Sequence, residues 1–116
     1  ELFPKLRERK TQLAHSMSGG EQQMLALGRG LMADPKLLMV DEPLLGLAPT
    51  VARHTIEVLK QINQKGVTIL FIEQNVQTAM SLAHRGYVLE SGKVVIEGTS
   101  SELLNSGEIK RVFLGG

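Results

Sequence analysis

The sequence predicts an α/β fold organised around one parallel strand–helix–strand unit. Two short apolar runs, Leu37–Val40 and Val67–Ile72, have the length and composition of strands in a parallel sheet, and we expect the first strand to run from Leu37 to Asp41. Between them, residues 50–65 carry apolar side chains at helical spacing, and Gly66 follows as a helix stop. Such a segment predicts two parallel strands joined by a right-handed crossover. We expect both strands to be buried on both faces.

Two helices are predicted before the first strand. The first covers residues 2–9, and residues 11–17 form a connector. The second covers residues 18–33 and has a wide apolar stripe, which indicates that one of its sides is buried. Gly28 and Gly30 each weaken a helix by about 1 kcal/mol relative to alanine, so we expect close contact with a neighbouring element there.

The start of the second helix is suited to an anion. Ser18 can cap it, and Glu21, three residues later, completes the pattern of a capping box. The first N–H groups of a helix have no partner within the helix and carry partial positive charge, so they suit a phosphate. Gly19 and Gly20 let the backbone approach a ligand closely, because they have no Cβ. On these residues alone, a capped surface helix stays open as the alternative.

Polar side chains follow both predicted strands. Asp41 and Glu42 stand at the carboxyl end of the first strand, where open α/β sheets bind ligands. Glu73, Gln74 and Asn75 follow the second strand, and because parallel strands end at the same edge of a sheet, we expect them on that edge too. For the Asp–Glu pair alone, an ordinary strand end is the alternative.

The last third of the chain is predicted to hold a helix, a hairpin and two short helices. Asn75 can cap the first helix, and Ser91–Gly92 separates two apolar runs as a hairpin turn does. Thr99–Glu102 reads as a second capping box that opens a short helix. A final helix is expected over residues 106–114.

The composition limits the class of protein. The chain has 116 residues and a net charge of +1, enough for one small domain and without the basic surplus typical of nucleic-acid binding. Cysteine is absent, which excludes disulfides and thiolate metal sites. No apolar run approaches the roughly 20 residues that cross a bilayer, and no signal peptide is recognisable. Because the chain begins at Glu1 in what reads as mid-domain sequence, we expect a fragment.

Taken together, Ser18–Gln22 and Asp41–Pro43 resemble the signature and Walker B motifs of ABC-type ATPases. The resemblance covers residues 2–116 but only the second half of such an ATPase. It implies a P-loop NTPase (ABC ATPase) fold of which this chain is the C-terminal portion. It also implies a division into a helical-subdomain part (1–34), a Walker B-to-switch-loop core (35–85) and a C-terminal hairpin with helices (86–116).

Within that family, the chain is similar to the ATP-binding subunits of bacterial branched-chain amino acid importers. Four stretches carry this closer similarity: Met17–Ala26, Gly46–Pro49, Glu73–Asn75 and Leu114–Gly116. Since other subunits choose the transported solute, an ABC ATPase for urea, a short amide or a lipid is the alternative. A fragment that acts only as a non-catalytic interaction module is another. A response-regulator-like domain is disfavoured, because it would not need the Ser-Gly-Gly-Glu helix start.

The resemblance assigns roles to the strand-end residues. Asp41 would help to hold Mg²⁺ through water, and Glu42 would act as the general base that polarises the attacking water. Gln74 stands where most members have histidine; its amide can donate to a γ-phosphate oxygen but cannot act as a base. Leu44 and Ala48 replace the serine and aspartate common in the D-loop, which contacts the second subunit.

The resemblance also implies ATP, Mg²⁺ and several protein partners. A second ABC ATPase subunit would form a head-to-tail dimer, and the signature residues would face the γ-phosphate of the ATP that it holds. Those residues are Ser18, Gly19, Gly20 and Glu21. Membrane-spanning permease subunits, and indirectly a solute-binding protein, would complete a transporter, with this chain peripheral on the cytoplasmic face of the inner membrane. No nucleic-acid partner is expected.

One expected motif does not occur in the sequence. No Gly-x-x-x-x-Gly-Lys-Ser/Thr phosphate loop is found among these residues, and that loop supplies the amides and lysine that cradle the phosphates. We therefore expect the chain alone neither to bind ATP tightly nor to hydrolyse it. Because the phosphate-loop strand lies in the middle of the family's sheet, we also expect an open apolar edge and dimerisation, strand exchange or pairing with a second chain.

Overall fold

The structure is a computed structural model that describes residues 2–14, 18–107 and 109–110. The chain divides into two units, residues 1–72 and residues 73–116. In chain order the elements are α1 (Pro4–Glu8), α2 (Gly19–Leu31), β1 (Leu37–Asp41), α3 (Pro49–Gln64), β2 (Thr68–Ile72), α4 (Val76–Leu82), β3 (Arg85–Glu90), β4 (Lys93–Thr99) and α5 (Ser100–Leu104).

The first unit contains the predicted strand–helix–strand segment. Strands β1 and β2 pair in parallel, from Leu37 opposite Thr68 to Asp41 opposite Ile72, with α3 as the crossover. The pairing extends one residue further, because the Glu42 amide donates to the Ile72 carbonyl at 2.9 Å. The prediction of two parallel strands is thus confirmed, and β1 has the predicted bounds.

Helix α3 supplies half of the buried residues in the described part of this unit. Its buried side chains recur at helical spacing and are Thr55, Val58, Leu59 and Ile62. Pro49 occupies the first turn, where its missing N–H costs nothing, and Ala48 provides no side-chain cap. Gly66 follows the helix with φ of +101°, a conformation that glycine adopts without strain, so it ends the helix as predicted.

The two strands are covered on one face only, and the prediction that both faces are buried was wrong. Side chains alternate along each strand, and one set faces the helices, as buried Leu38 does. The other set forms an apolar outer face of Leu37, Met39, Leu70 and Ile72, with exposed fractions of 50%, 72%, 52% and 60%. An apolar run is expected wherever a sheet carries two layers, but the described part of this chain supplies only one.

Two glycines in α2 bring other elements close to this helix, as predicted. A Cβ built on Gly28 would lie 3.7 Å from the Phe3 ring, which precedes α1. A Cβ on Gly30 would lie only 2.9 Å from Cδ1 of Leu38 in β1. Gly28 therefore has room for a methyl group, whereas Gly30 permits an approach that alanine would obstruct.

The second unit confirms the predicted caps and hairpin. Asn75 accepts a hydrogen bond from the Thr78 amide at 2.9 Å, and Thr99 with Glu102 forms a complete capping box at α5. Strands β3 and β4 extend beyond the two apolar runs that predict them, Tyr87–Leu89 and Val94–Ile96, because Gly86 pairs with Gly98 and glycine gives no apolar signal. Gly86 is needed there, since a Cβ would lie 2.6 Å from the Met80 methyl carbon.

Some of the predicted segments lie partly or wholly outside the described residues. Residues 107, 109 and 110 are helical, and the remainder of the helix expected over 106–114 lies largely outside the described residues. The same holds for residues 15–17 of the connector and for residues 114–116 of the family-like stretches. Among the helices that the structure describes, none has the length and apolar character needed to cross a membrane.

The substitution Gly28→Ala is expected to raise the free energy of unfolding by about 0.5–1 kcal/mol, because alanine is the better helix former and its Cβ meets only ordinary contacts. Urea denaturation followed by circular dichroism measures this change. Gly30→Ala is the comparison, since its Cβ would press on buried Leu38. Equal losses of stability in both variants would contradict the packing described here.

The outer face is expected to make the isolated chain self-associate, since exposed apolar sheet surface and open edges favour pairing with another chain. Met39→Lys should weaken association, because a buried interface would have to desolvate the ammonium group. Met32→Lys is the matched control, because Met32 is 86% exposed but stands outside the outer face. Light scattering over a concentration series measures the effect, and a monomeric wild-type chain at high concentration would oppose this expectation.

Candidate functional site

The start of α2 is capped by Ser18, as predicted. The Ser18 hydroxyl accepts a hydrogen bond from the Glu21 amide at 3.2 Å, and the Ser18 carbonyl accepts from the Gln22 amide at 2.8 Å. Ser18 has the extended backbone conformation typical of an N-cap residue. The cap fixes where the helix begins and therefore where its first N–H groups point.

The prediction of a complete capping box at this helix was wrong in its second half. Glu21 does not complete the box; its carboxylate forms an ion pair with Arg9, with 3.3 Å between Oε2 and Nε. This Oε2 atom accepts no hydrogen bond from the described residues, so its contact with the Arg9 guanidinium is one of charge only. Arg9 is the C-cap of α1, so this contact ties the end of α1 to the start of α2.

The two glycines after Ser18 have different surroundings. A Cβ on Gly19 would meet no atom within 4 Å, so this position faces open space. A Cβ on Gly20 would lie 2.5 Å from Cγ1 of Val51, in the first turn of α3. Only Gly19 therefore offers bare backbone to a ligand on its open side, while Gly20 is pressed against another helix. Sequence reasoning did not identify Val51, because nothing in the local pattern links it to Gly20.

Asp41 and Glu42 occupy the carboxyl end of β1, as predicted. Asp41 is the last residue of the strand and is exposed. Glu42 has φ of +46°, the left-handed conformation that costs a residue with a side chain about 1–2 kcal/mol. The hydrogen bond from the Glu42 backbone N–H to the Ile72 carbonyl holds this conformation, together with the fully buried Pro43 that follows. The Glu42 carboxylate therefore projects from a fixed backbone turn rather than from a regular strand.

The segment after Glu42 folds into two consecutive turns. The Leu45 amide donates to the Glu42 carbonyl at 3.2 Å, and the Leu47 amide donates to the Leu44 carbonyl at 3.3 Å. Gly46 has φ of +74°, which suits glycine. Leu45 is 69% exposed, so this segment presents an apolar side chain outward.

Gln74 belongs to the second unit, whereas Asp41 and Glu42 belong to the first. Gln74 stands two residues after β2, and its backbone N–H donates a hydrogen bond to Oε1 of Glu73 at 3.3 Å. The other Glu73 oxygen, Oε2, is buried and accepts no hydrogen bond from the described residues. Asn75 caps α4 immediately afterwards, so the backbone around Gln74 is held from both sides.

The donor set at the strand end fits Mg²⁺ rather than a metal held mainly by protein side chains. Over the described residues, no three His, Cys, Asp or Glu side chains are grouped to hold a metal ion. Mg²⁺ keeps several waters and is often bound through one or two carboxylates together with phosphates. The exposed carboxylate of Asp41 can fill that role.

A shallow surface pocket of about 350 Å³ lies on one side of α2. Its lining residues are Ala14, Gln22, Leu25, Ala26 and Arg29. None of the predicted site residues takes part in it. The pocket therefore does not coincide with the residues that the sequence analysis selected.

Comparison with known sequences finds relatives over the whole chain. The profile of the family described as ABC transporter matches residues 3–45. The chain is 51% identical over 116 residues to the high-affinity branched-chain amino acid transport ATP-binding protein BraG of Pseudomonas aeruginosa and covers 50% of it. It is 38% identical over 116 residues to a probable branched-chain amino acid transport ATP-binding protein, LivF, of Archaeoglobus fulgidus, covering 49% of it. The chain thus spans about half the length of these curated relatives.

Other similarities extend to a different transport system and to solved structures. The lipopolysaccharide export system ATP-binding protein LptB of Escherichia coli is 30% identical over 103 residues, and the chain covers 43% of it. The ATP-binding cassette MJ1267 superimposes with a TM-score of 0.84 at 28% identity, over 96% of this chain and 46% of that one. A nucleotide-free ATP-binding cassette superimposes with a TM-score of 0.79 at 30% identity, over 98% and 43%.

The strained backbone at Glu42 can be tested with two substitutions that both remove the carboxylate. Asparagine tolerates the left-handed conformation better than glutamine, so Glu42→Asn is expected to be more stable than Glu42→Gln by about 0.5–1 kcal/mol. Urea denaturation of the two variants measures the difference. Equal stabilities, or a more stable glutamine variant, would show that Glu42 carries no backbone strain.

Proposed function

This chain belongs to the ABC transporter family, and on that basis we propose that it forms the C-terminal half of an ATP-binding subunit that powers branched-chain amino acid uptake. The observation that carries the proposal is the 51% identity to BraG over all 116 residues, which include both the signature and the Walker B residues. The match to MJ1267 over nearly the whole chain supports the same fold assignment.

The proposed hydrolytic residues are Asp41 and Glu42. Asp41 would hold Mg²⁺ through water, and the ion when bound would neutralise charge on the phosphates. Glu42 would orient and polarise the attacking water, which requires its carboxylate to lie within hydrogen-bond reach of that water once nucleotide is bound. Its held left-handed backbone supports this role, because strained residues persist where the surrounding structure fixes them, often at functional sites.

The proposed nucleotide contacts of the signature motif are Ser18, Gly19, Gly20 and Glu21, acting on ATP held by a second ABC ATPase subunit. The open side of Gly19 and the capped helix start support this role, since first-turn amides suit a γ-phosphate. Glu21 would act from its ion pair with Arg9 and so would orient the helix start rather than neutralise it. Because each site would be shared between two subunits, hydrolysis would depend on dimer closure.

Gln74 is proposed to sense the γ-phosphate by donating a hydrogen bond from its side-chain amide. The Glu73 contact and the Asn75 cap support this role, because they fix the backbone on both sides of Gln74. An ordinary polar residue before a helix is the alternative. Glutamine cannot take up a proton here, so the sensor would contribute positioning and not base catalysis.

The proposed assembly adds membrane-spanning permease subunits and, indirectly, a solute-binding protein. The ATPase would lie on the cytoplasmic face of the inner membrane as a peripheral subunit. The near-balanced charge of 13 basic and 12 acidic residues gives no reason to propose a nucleic-acid partner. The proposed division of the chain remains 1–34, 35–85 and 86–116, as the family resemblance implies.

A lipid-exporting ATPase is the second candidate, because LptB is 30% identical over 103 residues. The higher identity to BraG, over more of the chain, favours amino acid transport. A non-catalytic interaction fragment is the third candidate, supported by the absence of a phosphate loop from this sequence.

ATPase measurements separate these candidates. The chain alone should be inactive, and co-expression with the part of BraG that it does not match should restore activity, because that part would supply the phosphate loop. Glu42→Gln should then lower kcat by about 100-fold or more, the contribution usual for a general base. ATPase activity of the chain alone would mean that these residues contain a phosphate-binding site that the proposal does not include. Inactivity in every mixture would favour the interaction fragment.

A further inference from the structure

We infer that Val51 is a positioning residue for the signature motif, acting through its contact with Gly20. This inference rests on the proposed function, because it concerns how the start of α2 is aligned for hydrolysis. It explains separately why each of the two adjacent positions holds glycine. The side of Gly19 on which a Cβ would stand faces open space, whereas the same side of Gly20 contacts α3.

The contact is too close for any side chain at position 20. The 2.5 Å from an added Cβ to Cγ1 of Val51 would have to grow to at least 3.4 Å, the lower end of ordinary van der Waals contact. The start of α2 would therefore move away from α3 by about 1 Å, a misplacement that can cost on the order of 100-fold in rate. Gly20 thus lets α2 begin directly against Val51.

Val51 is a rigid surface for this contact. Valine in a helix is almost confined to one side-chain rotamer, so its methyl groups cannot turn away from Gly20. Its carbonyl accepts a hydrogen bond from the Thr55 hydroxyl at 2.9 Å, and Thr55 is fully buried. The first turn of α3 is further fixed by Pro49.

The other end of α2 rests on the strand that carries Asp41. Gly30 lies against Leu38, three residues before Asp41 in β1. The helix is therefore held between α3 at its start and β1 near its end. Val51 stands three residues after Ala48, so the first turn of α3 adjoins both the 44–48 segment and Gly20.

A double-mutant cycle tests this inference in the ATPase assembled with the complementary part of BraG. Gly20→Ala should lower kcat by about 30-fold, and Val51→Ala alone by about threefold, because the helix start loses its rigid neighbour. The double variant should be at least about tenfold more active than Gly20→Ala, since Val51→Ala makes room for the new methyl group. The KM for ATP should change less than kcat in each variant. Gly28→Ala, the same change in the same helix with an uncrowded Cβ, should leave kcat unchanged.

Each result bears on the inference. If Gly20→Ala is inactive and Val51→Ala does not rescue it, the loss of activity does not arise from the Val51 contact and the inference is overturned. If circular dichroism shows that Gly20→Ala does not fold, the test rests on the Val51→Ala variant. A wild-type kcat in Val51→Ala would then overturn the inference. An inactive wild-type assembly instead refutes the proposed function itself, and the inference falls with it.

Discussion

The parallel pairing of β1 with β2 is the interaction on which the rest of the first unit depends. Crossover helix α3 packs its buried side chains against this pair, and α2 meets it at Leu38. The hydrogen bonds between the strands do not stop at Asp41, because the Glu42 amide donates to Ile72. The same ladder that forms the core therefore holds the proposed general base in an otherwise unfavourable backbone conformation. A change that weakens the pairing of the two strands is therefore also expected to alter the backbone geometry at Glu42.

Much of the fold could be predicted from local sequence, and the errors share one physical origin. The bounds of β1 and the caps at Ser18, Asn75 and Thr99 follow from short-range signals: a run of apolar residues, or an oxygen three residues before an amide. An apolar run, however, does not reveal how many layers cover it, so the exposure of Met39 was missed. The Glu21 carboxylate likewise met Arg9, a partner that no capping pattern contains.

The site shows the same division between local and distant information. Motif spacing located the start of α2 and the carboxylates after β1, because those features are consecutive in sequence. The left-handed φ of Glu42 occurs together with a hydrogen bond from its backbone amide to the Ile72 carbonyl, thirty residues later in the sequence, and the neighbouring residues did not predict either feature. The different surroundings of Gly19 and Gly20 depend on Val51 in another helix. The two adjacent glycines of this motif are thus required for different physical reasons.

The exposed outer face of the strand pair also has a consequence for the abundance of the chain in a cell. Apolar surface of this kind is what chaperones and quality-control proteases recognise, and small changes in the unfolded or uncovered fraction can alter steady-state levels several-fold. With Met39 72% exposed, this face would be open to such surveillance in any state of the chain in which no further polypeptide segment covers it. A segment that covers the face, whether from the same polypeptide or from another, would remove that exposure.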